Sequence, residues 1–417
     1  MKPIDLIILP FHDWKKNETE GFRSRDGHLT SHFLASERVG KVLVVDRPIS
    51  FIERVMYQRP LRCVSGCEID REGRAILSEI ERGLYVLDSS APDLVGPLRL
   101  RRDWWDVAFR RARVWESIRW AARRAGLAPQ RCVLLCWSPL STGCFGKCEE
   151  ALIAFDAIDN WCDHPVMTDR RGWIRRGYER AIKDAGVLTC NNPNTANFLE
   201  SLGRRPRVIR NGVDLDRWDP EAWADTPVPK DLAAIPKPWL GYAGRLAPRT
   251  DVDLICRLAR QRPDWSIVLV GPMMDRVWHR PLFDLPNVYF VGDKAYSDLP
   301  RYVARFDVAC VFHGLNAVKN MDPTKIYEYL ALGLPVVTTP VEGAETFAKF
   351  LHVASDADAF ESAVAHALQR AESNPSRISE CRAALEAEGF SWRVRADELL
   401  DEIEYALDRV PARRPSD

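Results

Sequence analysis

Residues 320–337, NMDPTKIYEYLALGLPVV, hold the densest usable chemistry in this 417-residue chain. Asp322 can cap a helix and Pro323 suits a first helical position, so a helix is predicted to begin there. Its free amides and the positive end of its dipole make an anion site. Lys325 adds a full charge in a first turn that ordinarily favours acidic residues. A cation there costs stability unless an anion neutralises it, and phosphate is the anion this chemistry suits. Glu328, one turn on, can accept hydrogen bonds from sugar hydroxyls. Gly333 ends the helix before Val336 and Val337 enter a strand. Taken alone, the residues also fit an ordinary helix with both charges solvated.

Three shorter stretches add to this. Gly241-Tyr242-Ala243-Gly244-Arg245-Leu246 reads as a strand ending in a Gly-rich turn, where backbone can approach a ligand closely. Arg245 and Arg249 follow, placed to pair with a phosphate, although a tight turn alone would have the same sequence. Arg210-Asn211-Gly212-Val213-Asp214 marks a turn with no hairpin after it. In Phe155-Asp156-Ala157-Ile158-Asp159, two carboxylates sit at the end of a strand, with helix capping as the plainer role for Asp159. His28 and His32 are four apart and can share a helix face, but no third metal ligand is in view.

These groups need elements to hold them. Short β-rich runs alternate with longer helical stretches, the pattern of a parallel sheet covered by helices. Strands are predicted at 4–9, 41–46, 133–137, 153–158, 187–190 and 208–209, and again at 240–243, 266–270, 288–291, 308–312 and 336–338. Most are nearly continuous apolar runs, as expected of strands buried on both faces. Residues 219–238 carry five prolines and read as a linker. The expected fold is α/β, with two doubly wound Rossmann-like domains facing a central cleft. Residues 1–215 form the first, 216–238 the linker, 239–395 the second, and 396–417 a C-terminal helix and tail. Such sheets bind ligands at the carboxyl ends of their strands.

PTKIYEYLALGLPVV, GYAGRL, RNGVD, and VGDK followed by YSDLPRYVARFDVAC together resemble retaining glycosyltransferases of the GT-B fold. The resemblance is to the family-four-like branch of bacterial cell-surface polysaccharide synthesis, including the teichuronic-acid type. It covers about residues 188–400, and the first half by strand order alone. It implies transfer of a sugar from a nucleotide-diphosphate donor to a glycan or lipid-linked acceptor, with retained anomeric configuration and no metal or other cofactor. By the same resemblance, Glu328 binds the nucleotide ribose, and Arg245 and Lys325 neutralise the diphosphate with amides near Thr324. Gly244 and Arg249 complete the phosphate side. Lys294 and Tyr296 line the base pocket, and Asn211 and Gly212 belong to the segment crossing between domains. Asn320 stands where the family usually has a glutamate eight residues before Glu328. Asp159 replaces a usual first-domain histidine and is taken as catalytic with Arg245 and Lys325. Arg25 and His28 fall on the acceptor side. Two other readings are a nucleotide-sugar epimerase of similar architecture and a non-catalytic glycan-binding protein.

Composition narrows the class. Lys plus Arg and Asp plus Glu are both 59, so the chain lacks the basic excess of a nucleic-acid coat. The first 212 residues carry 35 basic against 27 acidic groups, and the remainder 24 against 32. Eleven cysteines without a CxxC read as buried or free thiols rather than a secreted disulfide framework. The apolar run at the start is too short for a signal peptide, and no stretch is long enough to span a membrane. A cytoplasmic location is expected, with peripheral contact on the inner face of the membrane as one option. That contact would run through 98–127, where nine arginines, three acids and four tryptophans stand. A sheet-packing helix with solvated arginines explains the same segment.

Overall fold

The computed structural model describes residues 2–57, 60–91, 93, 96–100, 104–164, 167, 170–314, 322–370 and 376–410. It divides into two compact units. Unit 1 comprises Met1–Ile209 and Arg395–Asp417; unit 2 comprises Arg210–Val394.

Unit 1 is built on strands β1 (Ile4–Leu9), β2 (Val39–Val45), β3 (Ile49–Ser50), β4 (Cys67–Glu72), β5 (Ala75–Glu81), β6 (Leu84–Ala91), β7 (Cys132–Cys136), β8 (Leu152–Ala157), β9 (Val187–Cys190) and β10 (Arg207–Val208). They are ordered β10-β9-β8-β7-β1-β2-β6-β5-β4, with β3 paired to β6. The apolar runs at 4–9, 132–136 and 152–157 become buried parallel strands, as their composition requires. Strand order reverses at β1, which lies between β7 and β2. The carboxyl end of such a switch point leaves a crevice where α/β sheets take ligands.

One edge of this sheet departs from the expected all-parallel pattern. β5 runs antiparallel to both β4 and β6. Its sequence AILSEIE and that of β4, CEIDRE, mix charges into half-exposed strands, so neither shows as an apolar run. Gly73 and Gly83, both at positive φ, make the turns between them.

Unit 2 holds β11 (Trp239–Ala243), β12 (Ser266–Val270), β13 (Val288–Gly292), β14 (Val308–Val311), β15 (Val336–Thr338) and β16 (Leu351–Val353). The sheet order is β13-β12-β11-β14-β15-β16, all parallel, with its switch point at β11 and β14. Alternate residues feed two apolar layers. Leu240, Tyr242, Ile267, Leu269 and Cys310 join one, and Ala243, Val268, Val270, Ala309 and Val311 the other. Helix Val252–Gln261 packs in the first layer and helix Lys325–Ala331 in the second.

Two expected boundaries change. Residues 219–238 are part of unit 2 rather than a free linker: short helices Pro220–Ala224 and Lys230–Ala233 form there, and Leu232 is wholly buried beside Trp218 in the unit 2 core. The end of the chain is not a separate appendage either. Asp401 and Glu404 of helix Trp392–Leu407 pair with Arg38, and Glu402 pairs with Arg207, which ties this end to unit 1.

Within the Arg-rich segment, one helix packs a face into the unit 1 core. Helix Ala112–Ala125 buries Ile118, Ala121, Ala122 and Ala125, and Trp104 is fully buried. Arg110, Arg111, Arg123 and Arg124 reach Asp106, Asp93, Glu149 and Asp70. Among the described residues no helix is long and apolar enough to cross a membrane. Ten of the cysteine thiols are buried; Cys67 is exposed.

Helix Arg171–Asp184 lies so close to the turn Pro139–Cys144 that a Cβ on Gly177 would stand 2.0 Å from the Pro139 carbonyl oxygen. Gly177→Ala is expected to destabilise unit 1 by about 1–3 kcal/mol, read as a lower urea midpoint. An unchanged midpoint would show that this contact yields freely.

Candidate functional site

Helix Lys325–Ala331 begins at Lys325, with Thr324 in the cap position and no side-chain cap. This is slightly later than the sequence suggests, because Asp322 is used elsewhere. Its carboxylate accepts from the Asn211 N–H at 3.1 Å and from the Tyr327 hydroxyl, while its carbonyl accepts from Asn211 Nδ2 at 3.0 Å. The Asn-Gly turn thereby fastens the start of the helix. Gly212 is required beside it, since a Cβ there would lie 2.7 Å from the Trp392 backbone nitrogen.

All seven residues of the helix are buried. Lys325 and Glu328 are each only 8% exposed, which rules out the solvated-charge reading of this sequence. Glu328 Oε1 accepts from the Tyr296 hydroxyl at 3.0 Å, and Tyr296 in turn accepts from Trp218 Nε1 at 3.2 Å. Glu328 Oε2 has no hydrogen-bond partner among the described residues. Burial raises this carboxyl to about 7, against the pull of the Tyr296 hydrogen bond and the Lys325 and Arg217 charges. Tyr296 therefore serves as the holder of Glu328 rather than as an open base-pocket wall.

Lys325 Nζ lies 3.3 Å from the Tyr242 hydroxyl and 3.5 Å from His313 Nε2, over the Tyr242 ring. Burial, with Arg249 nearby, lowers its pKa. No carboxylate forms an ion pair with Lys325 or Arg249 among the described residues, and Arg249 Nε is buried without a hydrogen-bond partner. Burial alone would raise the Tyr242 phenol, but Lys325 and Arg249 pull it below its ordinary value. Burial and the same two cations push His313 well below the ordinary imidazole range, so it is neutral. An uncompensated buried cation is costly. Buried Lys325 with half-buried Arg249 beside it, among neutral partners, makes a place for an anion.

The backbone explains how these groups meet. The loop after β11 lies along the ends of its neighbours: Leu246 pairs with Met273, Thr250 with His313, and Gly314 N–H donates to the Arg249 carbonyl. Gly244 and Gly271 sit so close that a Cβ on Gly271 would fall 2.1 Å from the Gly244 carbonyl oxygen. Gly244 also faces Lys325, whose Cε and Nζ would be 3.0 Å from a Cβ there. Arg245 is half-buried at the start of this loop. Lys294 pairs with Asp231 at 2.8 Å and lies over Tyr302, so it is occupied within the protein. Asn320 lies outside the described residues. His313 and Gly271 were not among the candidates; they stand just past β14 and β12, where the position relative to the strand ends is the only signal.

In unit 1, Arg25 makes a two-pronged pair with Asp156, at 2.8 and 3.1 Å. Asp156 also accepts from Trp137 Nε1 and the Thr189 hydroxyl, so this carboxylate is fully committed. Asp159 has a left-handed backbone, φ 61°, and its carboxylate accepts from Asn191 Nδ2 at 2.7 Å. His28 is buried within helix Arg25–Ala35. His12 Nδ1 lies 3.1 Å from Asp26 Oδ1. A surface cavity of about 550 Å³ lies at the other end of the sheet, by the starts of β8 and β9. Its Arg204 and Arg207 are already bound to backbone carbonyls and Glu402.

Residues 237–370 match the family model described as glycosyl transferases group 1. The matched span contains the whole Lys325, Glu328, Arg249 and His313 constellation. A putative teichuronic acid biosynthesis glycosyltransferase of Bacillus subtilis is 27% identical over 201 residues, 45% of this chain and 50% of that relative. A GDP-mannose-dependent alpha-mannosyltransferase of Mycobacterium tuberculosis is 30% identical over 253 residues, 58% of this chain and 62% of that relative. The chain thus spans about half to three-fifths of the curated relatives it matches. Among solved structures, sucrose-phosphate synthase from Thermosynechococcus elongatus aligns with TM-score 0.67 at 16% identity, covering 98% of this chain and 100% of that one. Anabaena HepE in complex with UDP aligns with TM-score 0.61 at 13% identity, covering 97% and 100%. The fold is of the GT-B class, two Rossmann-like units in one chain.

A carboxyl whose pKa is raised on folding contributes stability at low pH that is lost as pH rises through its folded value, here about 7. Glu328→Gln keeps the shape and cannot ionise. Its melting temperature is expected to gain on the wild type between about pH 5 and about pH 8, a differential on the order of 2–3 kcal/mol. A gap that does not widen with pH would overturn the buried-carboxylate assignment. Lys325→Met should raise the melting temperature of protein without added nucleotide by about 2–4 °C, since it removes an unpaired buried charge. A fall in melting temperature would count against that charge being uncompensated.

Proposed function

We propose that this chain transfers a glycosyl group from a nucleotide-diphosphate sugar to a glycan or lipid-linked acceptor, with retained anomeric configuration, in the making of a cell-surface polysaccharide. The observation that carries this is the pairing of two demands in one place. Among the described residues Lys325 and Arg249 form no ion pair with a carboxylate, and Glu328, one helical turn from Lys325, accepts a hydrogen bond at Oε1 and none at Oε2. A nucleoside diphosphate answers both, with phosphate oxygens for the cations and a ribose hydroxyl for the carboxylate.

The chemistry follows from charge. As the sugar departs, negative charge grows on the leaving diphosphate. Donors already in place stabilise that charge without reorganising, which is usually the largest catalytic contribution. Lys325, Arg249 and Arg245 supply it here, with Gly244 letting the backbone come close. The helix holding Lys325 and Glu328 is buried on all sides, so both heads are fixed before any ligand arrives. The teichuronic-acid relative supports the polysaccharide assignment, and the alpha-mannosyltransferase relatives support a sugar nucleotide as donor.

The test is a thermal-shift series with UDP, GDP, ADP, dTDP and CMP. One diphosphate is expected to raise the melting temperature by mass action. Glu328→Ala should keep the fold and weaken that nucleotide about 10- to 100-fold, the loss of one hydrogen bond to a charged group. Arg245→Ala should slow turnover of the matching sugar donor. A series in which no nucleotide shifts the wild type would sink the reading.

A further inference from the structure

His313 stands just past β14 and is 1% exposed. Its backbone N–H donates to Thr339 Oγ1 at 3.2 Å, and it pairs with Thr250 across an antiparallel bridge. The next residue, Gly314, donates its N–H to the Arg249 carbonyl at 2.9 Å. This stretch of backbone therefore fixes the loop that carries Arg249. The His313 ring reaches the other way, with Nε2 3.5 Å from Lys325 Nζ. One residue thus links the two cations of the unit 2 site, by its backbone to one and by its ring to the other.

The ammonium decides which form of the ring is present. An ammonium only donates. A lone pair on Nε2 faces it favourably, whereas a hydrogen there would meet it positive to positive. That assigns a neutral imidazole with its hydrogen on Nδ1, which is buried and has no hydrogen-bond partner among the described residues. Burial and the Lys325 and Arg249 charges all oppose a second proton. Tyr242 is the other neutral partner. Its hydroxyl lies 3.3 Å from Lys325 Nζ and 3.3 Å from His313 Nε2, and its ring lies beneath the ammonium at 4.7 Å.

A carboxylate in the place of His313 would satisfy Lys325 and leave no charge for a ligand. Lys294 shows that outcome, paired with Asp231 at 2.8 Å and occupied within the protein. A neutral acceptor aims the ammonium and leaves its charge in force. The one carboxylate on the same helix, Glu328, accepts at Oε1 from Tyr296 and forms no ion pair with Lys325. Two cations held at a set separation match two linked phosphates, and a single phosphate answers only one of them.

We propose that His313 is a positioning residue: a neutral acceptor tied to the Arg249 loop, it aims Lys325 so that the site selects two linked phosphates over one. This rests on the nucleotide-sugar reading above. The ligand class is a nucleoside diphosphate or its sugar ester, and nucleoside monophosphates bind poorly. In the transfer the same arrangement keeps Lys325 directed at the leaving diphosphate, where negative charge grows.

The test titrates the full chain with the nucleoside diphosphate that gives the thermal shift and with the matching monophosphate. His313→Gln and His313→Glu have the same shape and reach and differ in charge alone; His313→Leu has no acceptor. The wild type is expected to prefer the diphosphate by about 10-fold or more. His313→Leu should lose about 10-fold of that preference, the worth of one hydrogen bond to a charged group, and His313→Gln should restore most of it. His313→Glu should melt about 2–4 °C above His313→Gln without nucleotide, yet bind the diphosphate about 10- to 100-fold more weakly. A merely structural residue would lower melting temperature and the binding of both nucleotides together. It would not send stability and diphosphate binding in opposite directions. Should His313→Leu fail to fold, the comparison of the Gln and Glu variants decides alone. Equal diphosphate affinity in those two, or an unchanged preference in His313→Leu, overturns the role of His313 and leaves the nucleotide-sugar reading standing. A wild type that binds no nucleotide overturns both.

Discussion

The cost of hiding Lys325 and Glu328 from water governs the architecture of unit 2. Among the described residues neither charge is neutralised by an ion pair, so each is held by neutral groups that are themselves buried. Tyr242 and His313 do this for the ammonium, and Tyr296, backed by Trp218, does it for the carboxylate. Those partners come from β11, from the end of β14, and from the segments that bring Tyr296 and Trp218 together in one apolar layer. A site of this kind trades stability for readiness, since its charged heads need no rearrangement when a partner of opposite demand arrives.

Much of the second unit was legible because its strands and its buried helix are continuous in sequence. The run PTKIYEYLALGLPVV contains the helix, its two charged residues and the strand that follows. What could not be read was how the charges are held. Tyr242, Tyr296, His313 and Lys325 are far apart in the chain, and their meeting depends on strand order. Lys294 looked available because its partner Asp231 lies in a stretch that read as linker. Asp322 looked like a cap because nothing local shows that Asn211 claims it.

The first unit was less legible for two reasons. Its antiparallel edge is half-exposed, so β4 and β5 mix charged and apolar residues and escape a search for apolar runs. Its polar groups are also arranged by distant pairing. Arg25 is fixed by Asp156 and His12 is held by Asp26, although His28 and His32 have the more conspicuous spacing. The signal for His12 was positional: it stands just beyond the first strand, at the end where parallel sheets bind ligands. His313 stands in the same relation to β14. In both units an imidazole lies at the point where strand order reverses.

The division of the chain has a consequence for how it is made. Unit 2 is one continuous segment set inside unit 1, and its two ends are fastened together: Val213 pairs with Ser391, and its N–H and carbonyl bond to Phe390 and Trp392. Unit 1 needs the last helix, whose Asp401 and Glu404 reach back to Arg38 across nearly the whole sequence. On the ribosome the inner unit is therefore complete before the outer one, although the outer one begins first. Arg38 and Arg207 meet these carboxylates only once helix Trp392–Leu407 has emerged.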